Sequence, residues 1–289
     1  MKATVFLGGG RIAAALIAGL RRAGYKTPIV VHDRNPGKLR ALRREFSVAV
    51  EPDLRRAIAS AGLLIVAVRP GDVAAILAQT RHAVAGSSAK VGGQSVLVAC
   101  SLAAGIPLAR LRAQLGPPVC WARAMPSPLA RSRRGLTALT FDGGFPRAAR
   151  KLLRQVFAQV GPVLEIPESK FDVFTVTFSP SHGYQALAAL ARAAQKLGLD
   201  RPAALVAATH ALADAILSWR EGEESLEGLL DEAATPGGTA AAVMNTLNAA
   251  GHSGMIERGL RAGVARARKN AEERSSAPDR KIPRKQRSR

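Results

Sequence analysis

Lys2–Leu20 reads KATVFLGGGRIAAALIAGL, and the order of its parts decides the fold. Lys2 to Leu7 is a short apolar run that ends on Gly8-Gly9-Gly10, after which Ile12, Leu16, Ile17 and Leu20 recur at helical spacing up to Gly24. That is strand, tight turn, helix. A second apolar run, Pro28 to Val31, stops at His32-Asp33-Arg34-Asn35-Pro36, and a helical stretch from Gly37 to about Glu45 follows. The two halves make a βαβ unit, and Gly8-x-Gly10-x-x-Ala13 stands where a dinucleotide-binding turn belongs, after a strand and at the opening of a helix. Gly8 permits the tight turn, Gly10 lets the backbone approach a pyrophosphate, and Ala13 lets the helix pack close to the strand. Gly9, Arg11 and Ile12 complete the expected cofactor set, because the N–H groups at a helix start face the negative charge. This context outweighs the alternative of a glycine turn with a structural role only.

Further strands are expected at Val48–Val50, Leu63–Val68, Ser95–Cys100, Val119–Arg123, Thr137–Phe141 and Val163–Ile166, with helices between most of them. Alternating strand and helix implies a doubly wound α/β Rossmann-like domain with a mainly parallel sheet. After Pro167 the pattern turns helical, with helices expected around Tyr184–Leu197, Arg201–Trp219, Leu226–Ala233, Thr239–Ala249 and Met255–Asn270. The expected division is a dinucleotide-binding domain over 1–167, an all-α domain over 168–274 and a basic disordered tail over 275–289. In that tail, SSAPDRKIPRKQRSR, charge and proline leave little to bury.

Composition narrows the function. The chain has 289 residues, 47% of them hydrophobic and only 4% aromatic, which fits helices of Ala, Leu and Val on a parallel sheet. No stretch approaches the roughly 20 uninterrupted apolar residues of a membrane span, and the N-terminus lacks a signal-peptide layout, so a cytoplasmic, non-membrane protein is expected. Cys100 and Cys120 offer neither a disulfide framework nor metal-ligand spacing, and no metal is expected. The net charge of +21 is concentrated at the C-terminus: from Arg258 to Arg289 there are twelve Lys/Arg against three Asp/Glu. No aromatic residue interleaves those charges, which favours weak attraction to polyanions over specific nucleic-acid binding.

The end of the second strand bears on the choice of nicotinamide cofactor. Asp33 suits a free ribose 2′-hydroxyl, whereas Arg34, with Lys38, suits a 2′-phosphate, and the residues alone leave both open.

Five segments together resemble the pyrroline-5-carboxylate reductases, which make proline by reducing a cyclic imine. They are FLGGGRIAAALIAGL, AGLLIVAVRPGDV, SLAAGI, RAMPSPLARSRRGLTAL and DEAATPGGTAAAVMNTLNAAG, in an order and spacing that cover most of residues 1–270. The resemblance implies that Ala67, Val68, Arg69 and Pro70, similar to the family's AVKP, lie along the cofactor, and that Leu102, Ala103 and Ala104 lie beside the nicotinamide. It implies NADP(H) as the favoured cofactor, with NAD possible, and a homodimer or larger homo-oligomer built through the helical domain. Each substrate site is then expected between one subunit's nucleotide domain and the helices of the dimer.

In Thr235-Pro236-Gly237-Gly238-Thr239, Thr235 is able to N-cap a helix and Pro236 suits its first position. The free N–H groups of Gly237, Gly238 and Thr239 then belong to an ordinary capped helix start, which the residues alone favour, or to a carboxylate site, which the resemblance favours. Through the resemblance, Thr235 and Thr239 become the catalytic candidates, and Glu168, Gly237, Gly238, Thr239, Met125, Pro126 and Ser127 the substrate-binding ones. Three positions depart from the family pattern. Its MPNTPA loop reads Met125-Pro126-Ser127-Pro128-Leu129-Ala130, its SGSGPAY element reads Phe178-Ser179-Pro180-Ser181-His182-Gly183-Tyr184, and Ala240 replaces a second threonine. The expected activity is therefore NAD(P)H-dependent reduction of a small cyclic imine carboxylate, pyrroline-5-carboxylate first. The alternatives are a related reductase of another imine or keto compound, and a catalytically silent NAD(P)-binding regulatory protein.

Overall fold

The structure is a computed structural model that describes residues 2–84, 89–91 and 94–272. The expected tail, 275–289, lies outside the described residues. By packing the chain divides into two compact units, one of Met1–Thr175 with the stretch from Val264 onward, the other Val176–Gly263.

The first unit holds β1 (Ala3–Leu7), α1 (Arg11–Arg22), β2 (Ile29–His32), α2 (Pro36–Phe46), β3 (Ala49–Val50), α3 (Leu54–Ala59) and β4 (Ala61–Val66). There follow α4 (Val73–Thr80), β5 (Ala89–Val91), β6 (Gln94–Ser101), α5 (Leu108–Gln114), β7 (Val119–Pro126), β8 (Thr137–Phe141), α6 (Arg147–Ala158) and β9 (Val163–Glu165). The sheet runs β3-β2-β1-β4-β6-β7-β8-β9, with β5 antiparallel against β6. It is parallel from β3 to β7, and β8 reverses against β7. Chain order leaves β1 towards β2 on one side and resumes at β4 on the other, so the crevice at the C-terminal ends of β1 and β4 is the topological switch point, where such sheets bind ligands.

β1 is buried along its whole length and β4 nearly so, which is why both read as unbroken apolar runs. One sheet face is covered by Leu16, Ile17 and Leu20 of α1 and Leu153, Val156 and Phe157 of α6, the other by Ile58 of α3, Leu77 of α4 and Leu111 of α5, packed with Trp121 from β7 itself. The indole N–H of Trp121 donates to the Leu115 carbonyl at 2.7 Å, so the largest buried side chain carries no unpaired donor. Burial pushes the Cys100 thiol of β6 far above its usual range. The Cys120 thiol of β7 is raised by partial burial and by Asp142.

Beyond β9 everything described is helical: α7 (Glu168–Thr177), α8 (Pro180–Lys196), α9 (Arg201–Glu221), α10 (Leu226–Ala233), α11 (Thr239–Ala249) and α12 (His252–Glu272). By packing, the first unit runs into α7 as far as Thr175 and takes in the last turns of α12 from Val264. The second unit has a thin core of Ala191, Ala204 and Ala208, with Leu187 and Ala194 against it. Its large apolar side chains face outward, among them Val206, Ile216, Leu217, Trp219, Val243 and Ile256. α9 alone among the described helices is long and apolar enough to cross a membrane by length and composition.

Candidate functional site

The turn after β1 is built by close approach. Gly8 has φ +105°, and a Cβ there would sit 2.8 Å from the Ala67 carbonyl at the end of β4. Only glycine meets both demands. The Gly8 N–H donates to His32 at 2.7 Å, and the Gly9 N–H to the Asp33 carboxylate at 2.7 Å. Gly10 is the N-cap of α1, has no side-chain cap, and a Cβ on it would meet nothing within 4 Å. The first-turn N–H groups of α1, starting at Arg11 and Ile12, thus open onto clear space with the positive end of the helix dipole behind them, an arrangement that fits a pyrophosphate.

Asp33 is committed. One carboxylate oxygen accepts from Gly9, the other from the Asn35 N–H at 2.8 Å, and Lys38 lies 3.4 Å away. Partial burial raises the Asp33 carboxyl, but these N–H donors and the Lys38 charge outweigh it and hold the group below the usual carboxylate range. Arg34 points out, largely exposed, and pairs with Asp72 at 3.3 Å. Arg69 and Pro70 follow β4 and lead into the single turn that carries Asp72. Ala67, Leu102 and Ala103 are buried, Val68 and Ala104 half-buried, and Arg69 exposed. The Leu102 N–H donates to Val66 and the Ala103 N–H to the Ser101 hydroxyl, which ties this segment to the ends of β4 and β6.

The carboxylate site at residues 235–239 needs correction. Thr235 does not cap α11: its hydroxyl donates to the Glu232 carbonyl at 3.0 Å, and Gly238 is the N-cap. Pro236-Gly237 forms a turn, with Gly237 at φ +80° and the Gly238 N–H donating back to Thr235 at 2.9 Å. Pro-Gly at the two central positions is the chemistry of a type II turn, and it outcompetes helix initiation there. The Gly238 donor is therefore spent, and the N–H groups without an intrahelical partner belong to Thr239, Ala240 and Ala241.

Met125 and Pro126 close β7. The Ser127 oxygen accepts from Leu129 N–H at 3.1 Å and caps a short 3-10 turn, Pro128–Ser132, while the Leu129 side chain is exposed. The His182 ring is exposed and bonded to the Val176 carbonyl at 2.8 Å.

Glu168, the first residue of α7, is held by the protein: its Oε1 accepts from Arg123 Nη1 and from the Leu108 N–H, both at 2.9 Å. Arg123 also bonds Asp172 at 2.7 Å and stacks over Phe171 at 4.6 Å. Arg123, Phe171 and Asp172 had no role in the sequence reading. The one signal for Arg123 was a charge amid the apolar run of β7, VCWARAMP.

A glycine turn at a sheet switch point, opening onto a bare helix start and followed by a helical unit, defines a dinucleotide-binding oxidoreductase with an appended helical part. Residues 168–270 match the model of the pyrroline-5-carboxylate reductase dimerisation domain, and residues 4–91 that of the NADP oxidoreductase, coenzyme F420-dependent. The pyrroline-5-carboxylate reductase of Mycobacterium leprae is 31% identical over 92% of this chain and 96% of its own. A pyrroline-5-carboxylate reductase structure from Coxiella burnetii has TM-score 0.80 at 24% identity, covering 93% of this chain and 98% of its own. The NADP-bound Plasmodium falciparum pyrroline carboxylate reductase has TM-score 0.79 at 16% identity, with the same shares covered. The chain belongs to the pyrroline-5-carboxylate reductase family.

Proposed function

We propose that this protein reduces a small cyclic imine carboxylate, with pyrroline-5-carboxylate as the leading substrate and NADPH as the preferred reductant, acting in the cytoplasm as a dimer or larger homo-oligomer. The observation that carries the reading is the open, uncapped start of α1 behind Gly8 and Gly10 in a chain of this family. The nicotinamide supplies a hydride when bound. The chain's task is to hold and orient: the Gly8–Ile12 turn takes the pyrophosphate, and Ala67–Pro70 with Leu102–Ala104 lie along the nicotinamide half. The bare N–H groups of Thr239, Ala240 and Ala241 suit the substrate carboxylate. A protonated imine is already a good electrophile, so positioning suffices and no side-chain nucleophile is needed.

NADPH is favoured over NADH because Asp33, which would read a 2′-hydroxyl, already holds Gly9 and Asn35, while Arg34 is exposed and positioned to exchange Asp72 for a phosphate. A different imine or a keto acid remains the second reading, favoured by Ala240 in place of a hydroxyl and by the Ser127 oxygen being spent on a turn. Loss of reduced cofactor, followed with NADPH and NADH against pyrroline-5-carboxylate and a panel of cyclic imines and keto acids, decides between them. Turnover highest on pyrroline-5-carboxylate is expected. Cofactor binding without turnover on any compound would mean a silent NAD(P)-binding module. The variant Ala240→Thr should lower the KM for pyrroline-5-carboxylate by about one charge-assisted hydrogen bond, roughly 1–3 kcal/mol.

A further inference from the structure

Arg123 is 1% exposed, deep in β7, with Ser101 of β6 and Thr140 of β8 as its cross-strand neighbours. Its guanidinium holds Glu168 and Asp172, one turn apart on α7, and lies against the Phe171 ring between them. Two buried atoms of this cluster have no partner, Arg123 Nε and Glu168 Oε2. A guanidinium buried against two part-exposed carboxylates, with valences unused, is a poor device for stability alone, since apolar side chains of the same volume do as well or better. What it provides here is a fixed point. Glu168 Oε1 also accepts the N–H of Leu108, the first residue of α5, from 60 positions along the chain.

The stretch Leu102–Leu108 is fastened at four places, one of them the Ala103 N–H on the Ser101 hydroxyl. At its start the Leu102 N–H donates to Val66 on β4 at 2.9 Å. In its middle Gly105, at φ +75°, is pressed so close to the Ala267 carbonyl of α12 that a Cβ would collide with it. At its far end stands Glu168, itself held by Arg123. The Ser101 and Glu168 fastenings run through side chains that can be exchanged without touching the backbone of the stretch, and only Glu168 ties it to α7.

We propose that Arg123 is a positioning residue for hydride transfer: it holds the Glu168 carboxylate where that group accepts the Leu108 N–H, and so sets the wall formed by Leu102–Leu108. This rests on the reading above that the start of the wall, Leu102–Ala104, lies beside the nicotinamide. Glu168 then acts on the cofactor's placement and does not touch the substrate. Loss of the fastening lets the wall shift, and a displacement of about 1 Å at a reacting centre costs up to ~100-fold in rate.

The test uses the full chain with NADPH carrying hydrogen or deuterium at the transferred position. Glu168→Ala should lower kcat by ~10- to 100-fold and raise the isotope effect on kcat as hydride transfer becomes limiting, with KM for the imine and Kd for NADPH within about threefold. Glu168→Gln keeps an oxygen for Leu108 and should recover most of the rate. Arg123→Met should reproduce the isotope effect of Glu168→Ala, and Asp172→Asn should lower Tm without moving it. If Glu168→Ala and Asp172→Asn both lower Tm and leave the isotope effect unchanged, the cluster is structural and the inference fails. A rise in imine KM at constant kcat for Glu168→Ala would also overturn it, by making Glu168 a substrate contact. Should Glu168→Ala not fold, Arg123→Lys against Glu168→Gln decides: a lysine ammonium is a point charge on a flexible stem and does not reproduce the rigid fork whose two Nη atoms hold the two carboxylates, so the lysine variant must show the raised isotope effect and the glutamine variant must not. A wild type that turns over no imine is seen before any variant is compared; it refutes the functional reading and the inference with it.

Discussion

The two units bury their apolar side chains in opposite ways. In the first, Leu16, Ile17, Phe157 and Trp121 are almost wholly enclosed on the two faces of one sheet. In the second, the buried core is three alanines, and Val206, Ile216, Leu217, Trp219, Val243 and Ile256 are each about half exposed or more. The first unit's fold is completed by its own chain. The second leaves large apolar side chains exposed, as a surface made for another protein chain would, and residues 168–270 match a dimerisation model.

Substitutions can break or sharpen this contrast. The largest effect is expected from Phe157→Ala, which empties a filled core and should cost ~3–5 kcal/mol in denaturant unfolding of the first unit. Leu217→Ala, at an exposed position, should cost no more than ~0.5 kcal/mol in chains kept dilute enough to be monomeric. Leu217→Glu should instead move the sedimentation equilibrium towards monomer; equal stability losses for Phe157→Ala and Leu217→Ala in dilute chains would erase the contrast.

Next in size, Gly10→Glu places a side chain and a charge in the clear space before α1 and should weaken NADPH at least ~100-fold in a fluorescence titration, about 2.7 kcal/mol, with Tm nearly unchanged. Undiminished binding would remove the site from that turn. Arg34→Ala should weaken NADPH beyond NADH by about 1.5 kcal/mol. Asp72→Asn, which releases Arg34, should tighten NADPH by up to ~1 kcal/mol and leave NADH alone. Parallel changes for both cofactors would count against Arg34 as the phosphate reader.

The smallest effect is on acid stability. Asp33 has its carboxyl depressed in the folded state, so its contribution is complete above the ordinary value of 3.8 and is lost as pH falls from there through the lower folded value. Melting curves from pH 6 to 2 should show Asp33→Asn less stable than wild type near neutrality, with the gap closing only in the acid window. A gap that closes near pH 6 would assign it to another group.

The fold was legible because its determinants are periodic and local. Thr137–Phe141, Leu226–Ala233 and Thr239–Ala249 fall where apolar spacing and capping place them. α7 escaped notice because ESKFDVFTVT mixes β-branched residues through a helix with no clear apolar stripe. The far end of β7, Met125-Pro126, is set by pairing with Thr137 and Ala138 of β8, which single-strand patterning cannot see. The glycine turn was readable since its demands fall on the backbone, and backbone demands leave glycine behind. The Thr235 reading went astray because Pro-Gly favours two local structures and only the surroundings choose between them. Arg123 and Glu168 stay silent in sequence, 45 positions apart, until the sheet brings them together.

Cys100, sealed in a central strand, gives the protein a built-in clock. A thiol reagent added to the folded protein cannot reach it while β6 stays paired with β4 and β7, and its displaced ionisation slows it further. Cys120, one strand over and only half covered, answers sooner. The ratio of the two labelling rates therefore times how often the middle of the sheet parts compared with its flank, residue against residue in one tube.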